Sequence, residues 1–229
     1  MVHEVAQLTA RNIVSIGASL SHVHVPGRSL PESSNEDLKE SEVEIGMGIH
    51  NEPGSERRTE DLRGLVKTML AHLLDSSDED RNFLKVSPND ETVLLVNNLG
   101  GVSVLELGGI TNEIVEQLEK DWKVKPVRIL AGTFMTSLNG LGFSVSLLRI
   151  TDTGLGNGNL MLNLLDAPAE ATGWSAAIST KTWQTKSSAT RENDSGDSRE
   201  VQSSNLRCMF QLGLNGRAPT FYLSNQIYH

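Results

Sequence analysis

The 229-residue chain has a single cysteine, Cys208. One thiol cannot close an internal disulfide, so a bridge-stapled secreted scaffold is excluded, and a reducing, cytoplasmic setting is the expectation. Aromatic residues make up only 4% of the chain, and the tryptophans (Trp122, Trp174, Trp183) are scattered without pattern. Basic residues are outnumbered, 20 Lys+Arg against 29 Asp+Glu, giving a net charge of −9. That balance argues against a phosphate backbone as the main partner and removes DNA and RNA from consideration. Apolar runs are short, as at Val93 to Val96, whereas a bilayer-crossing helix needs about 20 residues. The first residues, Met1-Val2-His3-Glu4, lack a basic region leading into an apolar stretch, so neither an export signal nor a membrane segment is expected.

What is present fits one α/β domain with an appendage. Charge divides the chain: 1–174 carries 14 basic and 25 acidic residues, a net −11, and 175–229 carries six and four, a net +2. The segment from Ser179 to Asn205 is dominated by Ser, Thr, Asn and charged residues with almost no apolar periodicity. Such a composition buries too little surface to offset its ordering entropy. We therefore expect a lobe over 1–174, a Ser/Thr-rich linker over 175–207 and a short apolar tail over 208–229.

Within the lobe, Val5, Leu8, Ile13, Ile16 and Leu20 fall at roughly helical spacing, which predicts a helix over 5–20. A strand is predicted over 43–49, followed by a loop over 50–58. The clearest helix runs from Thr59, its expected N-cap, to Leu74, with Leu62, Leu65, Val66, Met69, Leu70 and Leu73 on one face. Thr92 to Val96 reads as a strand covered on both sides, and Asn97-Asn98-Leu99-Gly100-Gly101 as a tight loop into a helix over about 103–120. Further strands are predicted over 127–135 and 143–150, then an amphipathic segment at 158–165. Alternating strands and helices point to an α/β fold, a mixed or parallel sheet with helical cover.

The most informative stretch is EIGMGIHNEPG at 44–54. Glycines at 46 and 48 give up side-chain packing, as where a ligand or another backbone comes close. The strand runs into His50, and strand ends are where open α/β sheets bind ligands. A histidine there is a candidate base, nucleophile or ligand; the plain alternative is a part-exposed side chain bonded to its own turn. Glu52, Glu56, Arg57 and Arg58 either orient it or solvate the loop. The Asn97 to Gly101 loop either offers N–H groups and amides to an anion at a helix start or serves tight packing, since it lacks the Lys and spacing of a P-loop. His22 and His24 have no second His or Cys cluster at metal-site spacing, so no metal is expected.

Four stretches, ASLSHVHVPGR at 18–28, EIGMGIHNEPG at 44–54, LLVNNLGGVSVLELG at 94–108 and AGTFMTSLNGLGFSVSLLRI at 131–150, resemble in composition and order the substrate-binding (DhaK-type) domain of dihydroxyacetone (glycerone) kinases. The likeness is to the C-terminal lobe of that domain in the single-chain ATP-dependent form of fungi and animals. It implies a mixed sheet flanked by helices. It also implies that His50 is the histidine that adds to the ketone carbon of dihydroxyacetone and holds it as a covalent hemiaminal. Phosphorylation in glycerol catabolism would then use Mg-ATP held by a separate helical, DhaL-type module. The alternative is a non-catalytic dihydroxyacetone-binding or regulatory lobe, or an inactive gene fragment.

Two departures stand out. The family motif has Gly after its histidine, where this chain has Asn51, the residue other than glycine most at ease with positive φ. The Gly-rich substrate loop and general-base Asp of the family, and the Asp-rich Mg-chelating loop of its ATP module, have no counterpart in these 229 residues. A chain truncated at both ends, binding neither ATP nor Mg itself, is therefore expected. It would also self-associate, through an apolar face left uncovered or through the dimer contact common in the family.

Overall fold

The computed structural model describes residues 1–23, 38–39, 41–48, 52–81, 83–156 and 160–174. The expected linker and tail, 175–207 and 208–229, lie outside the described residues, as do His24, His50 and Cys208. In chain order the elements are α1 (Val2–Arg11), β1 (Ile13–Ser19), β2 (Val43–Ile45), β3 (Glu56–Arg58), α2 (Leu62–Leu74), β4 (Thr92–Asn98), α3 (Val104–Gln117), β5 (Arg128–Gly132), β6 (Gly142–Arg149) and α4 (Met161–Leu165). A π-helical turn, Leu118–Trp122, extends α3 and ends at Lys123 with φ 59°.

The strands form one six-stranded sheet in the order β3-β2-β1-β6-β4-β5. Only β4 and β5 are parallel, joined by the α3 crossover; the other neighbours run antiparallel. This is the mixed, helix-flanked α/β sheet that the sequence predicts. Register sorts the side chains by face. Val14, Ala18, Ile45, Leu94, Val96, Phe143, Val145 and Leu147 join the buried faces of α2 and α3 in one core, and Ile45, Leu94, Met69 and Ile114 are essentially inaccessible. The opposite face carries Ser15, Gly17, Glu44, Asn97, Ser144 and Ser146 across β1, β2, β4 and β6. There Arg128 is gripped by Asp166 at the end of α4, Nε to Oδ1 3.0 Å and Nη2 to Oδ2 2.7 Å, with both side chains nearly buried.

Four expectations are corrected. The predicted helix over 5–20 is two elements: α1 stops at Arg11, Asn12 turns the chain, and β1 follows. Asn12 holds that corner, its Nδ2 on Leu8 O at 2.8 Å and its Oδ1 accepting from Arg149 Nη2 at 3.0 Å. The strand predicted over 43–49 ends at Ile45, because Gly46 takes φ 79°, outside the extended region; within the loop predicted over 50–58, β3 adds a short edge strand. The N-cap of α2 is Asp61, whose carboxylate accepts from Gly64 N–H at 2.8 Å, rather than Thr59. No described helix is long and apolar enough to cross a membrane.

Candidate functional site

The segment that interrupts the sheet between β2 and β3 carries the 44–54 motif. It leaves β2 at Gly46, whose N–H donates to Gly17 O at 2.8 Å, and rejoins the sheet at Ser55, whose N–H donates to Ile45 O at 2.8 Å. Between them, Gly48 N–H donates to Glu52 O at 3.2 Å, so the residues flanking 49–51 are bonded to each other. His50, the predicted site residue, is one of those three and lies outside the described residues.

The glycines of the motif make room for this closure. A Cβ on Gly48 would collide with the Glu52 carboxylate, and one on Gly54 would stand 2.5 Å from Ile45 O and 2.6 Å from Glu44 Cγ. The close neighbour expected near Gly46 and Gly48 is the returning part of the same segment: Ser55 Oγ would be 3.1 Å from a Cβ on Gly46.

Beneath the segment sits Glu44, 3% exposed. Its Oε1 accepts from Gly54 N–H at 2.6 Å, and its Oε2 lies 2.9 Å from His22 Nε2 and 3.4 Å from Arg57 Nη2. Burial pushes the Glu44 carboxyl up, but the hydrogen bonds from His22 and Gly54, with the charges of Arg57 and His22, outweigh burial and hold it below the ordinary carboxylate range. His22 is thus a partner of Glu44. Among the described residues no three His, Cys, Asp or Glu side chains gather as a metal site would require. Of the charges after His50, Arg57 belongs to this cluster, whereas Glu56 and Arg58 pair with each other at 2.8 Å, and Glu56 also meets His72 of α2 at 3.0 Å. Glu44 is not among the residues predicted from the sequence to form the site. The signal was there in an acidic residue set between Val43 and Ile45 in a strand buried throughout.

The second candidate, the turn between β4 and α3, is consumed internally. Asn98 Oδ1 accepts from Gly100 N–H at 2.8 Å and Val102 N–H at 3.1 Å. Asn97 Oδ1 accepts from Phe134 and Met135 N–H at 2.9 and 3.0 Å. Leu99 and Gly101 N–H donate to Gly142 O and Gly140 O, and Ser103 closes a capping box with Glu106. Gly100, at φ 124°, has Leu138 O where a Cβ would be. The turn packs against 137–142 and keeps no N–H between 99 and 103 for an anion, so the packing alternative holds.

The Dak1 domain matches residues 1–173. The chain belongs to the Dak1 domain family. A dihydroxyacetone kinase of Pichia angusta is 43% identical over 195 residues, a match covering 81% of this chain and 32% of that protein. One solved relative, described as the dihydroxyacetone kinase operon co-activator Dha-DhaQ, superposes with a TM-score of 0.59 at 25% identity, over 73% of this chain and 47% of its own. Another, the dihydroxyacetone kinase from C. freundii in complex with AMP-PNP and Mg2+, also gives 0.59, at 24% identity over 86% of this chain and 32% of its own, and supports the fold. The chain spans about a third of the length of the curated relatives it matches. Of the described residues of this Dak1 domain, the Gly-rich turn keeps no N–H between 99 and 103 for a phosphate.

Proposed function

We propose that this chain is the dihydroxyacetone-binding part of an ATP-dependent dihydroxyacetone kinase of glycerol catabolism and that His50 is its nucleophile. The observation that carries the reading is the anchored 46–54 segment. The motif's glycines admit a closure that bonds Gly48 to Glu52 and Gly54 to Glu44, on either side of the histidine. A neutral imidazole nitrogen with a free lone pair adds to the ketone carbon. The C–N bond forms as the carbonyl π bond opens, the carbonyl oxygen gains a proton, and the ring nitrogen's positive charge is relieved by loss of the imidazole N–H proton. Such a bond selects a short ketone over glycerol, which offers only hydroxyls. Phosphoryl transfer then depends on placing a terminal hydroxyl of the bound ketone in line with a γ-phosphate, mostly positioning and charge neutralisation. Mg-ATP would be supplied by a helical DhaL-type module outside these residues. The similarity to the Dak1-containing kinases, at 43% identity in the Pichia angusta protein, supports this reading.

The test is carbon NMR of the full chain with dihydroxyacetone labelled at its carbonyl carbon. The expected result is loss of the ketone resonance to a tetrahedral carbon signal in the wild type and no such signal in His50→Ala. A wild type that leaves the ketone unaltered would sink the proposal. The likeness to the protein described as an operon co-activator favours a second reading, a regulatory lobe that binds the ketone without passing it on. The two part on adding a DhaL-type module with Mg-ATP: turnover selects the kinase, and an adduct without turnover selects the regulator.

A further inference from the structure

The six-stranded sheet has two edges, β3 and β5. An edge strand presents N–H and C=O groups to any extended segment that fits, and natural folds guard such edges with short strands, charge or proline. β3 is guarded: it is three residues long and all of them, Glu56-Arg57-Arg58, are charged. β5 is five residues, Arg128-Ile129-Leu130-Ala131-Gly132, and its one charged side chain, Arg128, is engaged by Asp166. Ala131 is exposed, and its neighbours Leu130 and Gly132 are part-exposed.

Which backbone groups face outward follows from the register. Val127 N–H donates to Thr92 O at 2.8 Å, on the side of β4. Successive residues of a strand point their backbone groups to opposite sides, so 127, 129 and 131 face β4 while 126, 128, 130 and 132 face away. Among the described residues nothing bonds the outward N–H and C=O of Leu130 or Gly132. Counting from Leu130, the donors run out equally far in both directions: Pro126 has no N–H, and Phe134 N–H is spent on Asn97 Oδ1 at 2.9 Å. An antiparallel pairing of β5 with β5 of a second copy, centred on Leu130, sets Pro126 against Phe134, so no outward donor is stranded. The same register sets Arg128 against Gly132 and Lys125 against Met135. Residues 123–135 include no acid, and no two like charges stand opposite each other, which would destabilise the pairing.

We propose that the outer edge of β5 is an interaction surface for a second copy of this chain, the two sheets joining into one about a two-fold axis through Leu130. A two-fold contact requires a surface that complements itself, and this edge does. At its centre Leu130 N–H of each copy donates to Leu130 O of the other. To either side Ile129 of one copy lies across from Ala131 of the other, a pair without hydrogen bonds, where side chains come closest.

The experiment is sedimentation of the full chain over a concentration series, with hydrogen exchange of its backbone amides. The expected result is a monomer–dimer equilibrium in which exchange at Leu130 and Gly132 slows as the dimer forms. Leu130→Pro removes an outward donor and leaves the bonds to β4 in place, because proline is tolerated on an edge strand where the N–H faces out. It deletes both central hydrogen bonds and is expected to raise the dimer dissociation constant about tenfold to a hundredfold. Ala131→Lys places at an exposed position the charge that guards natural edges, and it decides should Leu130→Pro fail to fold; its expected shift is in the same direction. A wild type that stays monomeric at every concentration overturns the proposal. So does a dimer that both variants leave intact, or one that forms without slowing exchange at Leu130 and Gly132, because either puts the contact on another face.

Discussion

Gly54 has room for a hydrogen and nothing larger. A methyl there would meet the Ile45 carbonyl at 2.5 Å and the Glu44 side chain at 2.6 Å, both closer than real Cβ contacts come. Neither neighbour can step aside: Ile45 O already accepts from Ser55 N–H, and Glu44 is held by His22 and Arg57. The mutation therefore has to displace backbone. Gly54→Ala is expected to destabilise the protein by about 1–3 kcal/mol, the range for overpacking a well-filled site, read as a lower urea midpoint at unchanged slope. Gly108→Ala is the control, because a Cβ on Gly108 in α3 meets nothing within 4 Å; it is expected to stabilise slightly through helix propensity. If the two variants melt alike, the close approach at Gly54 is not a real constraint.

At the scale of elements, α2 is joined to the edge strand β3 through His72. Its Nε2 lies 3.0 Å from Glu56 Oε1, and its Nδ1 is buried without a hydrogen-bond partner among the described residues. Burial lowers the His72 pKa from the ordinary 6.5; Arg81 and Arg58 push the same way, against Glu56 and Asp78. The unfolded chain therefore binds this proton more readily than the folded one. The contribution to stability is complete above about pH 6.5 and is lost as pH falls through the lower folded value. His72→Phe is expected to flatten the slope of urea midpoint against pH between about 6.5 and 5, and an unaltered slope would assign that slope to other groups. How much of these elements the sequence displays depends on their periodicity. In α2 the apolar residues repeat on one stripe over three turns, and the helix is legible to within a few residues. In 2–19 a short helix and a strand abut at Asn12, and their apolar residues happen to continue one helical spacing; the β-branched run Ile13, Val14, Ile16 was the competing signal. His50 stood out because it sits in a motif. Glu44 did not, because its importance lies in contacts with residues 22, 54 and 57, which no local pattern contains.

At the scale of the whole molecule, the question is where the folded unit ends. The buried core draws its side chains from Val14 through Leu147, with Met161 buried on α4, and the last described contact is the ring pair of Phe134 and Trp174 at 5.1 Å. The Dak1 match stops at residue 173, and the composition turns to Ser, Thr and charge a few residues later. We propose from the family match and the composition that the folded lobe ends near Trp174. A chain ended after Trp174 is expected to melt within about 2–4 °C of the full chain, the shift that roughly 1 kcal/mol produces in a protein of this size. Ending the chain after Gly173 removes the partner of Phe134, and an aromatic pair is worth about 0.5–1.5 kcal/mol beyond its buried area, so a further fall of a few degrees is expected there. The order of the two results matters more than either value. If the larger drop comes on removing 175–229, side chains from that stretch contribute to the core. If it comes on removing Trp174 alone, the pair closes the lobe, and the net −11 charge of the lobe and the +2 of the remainder belong to separate physical units.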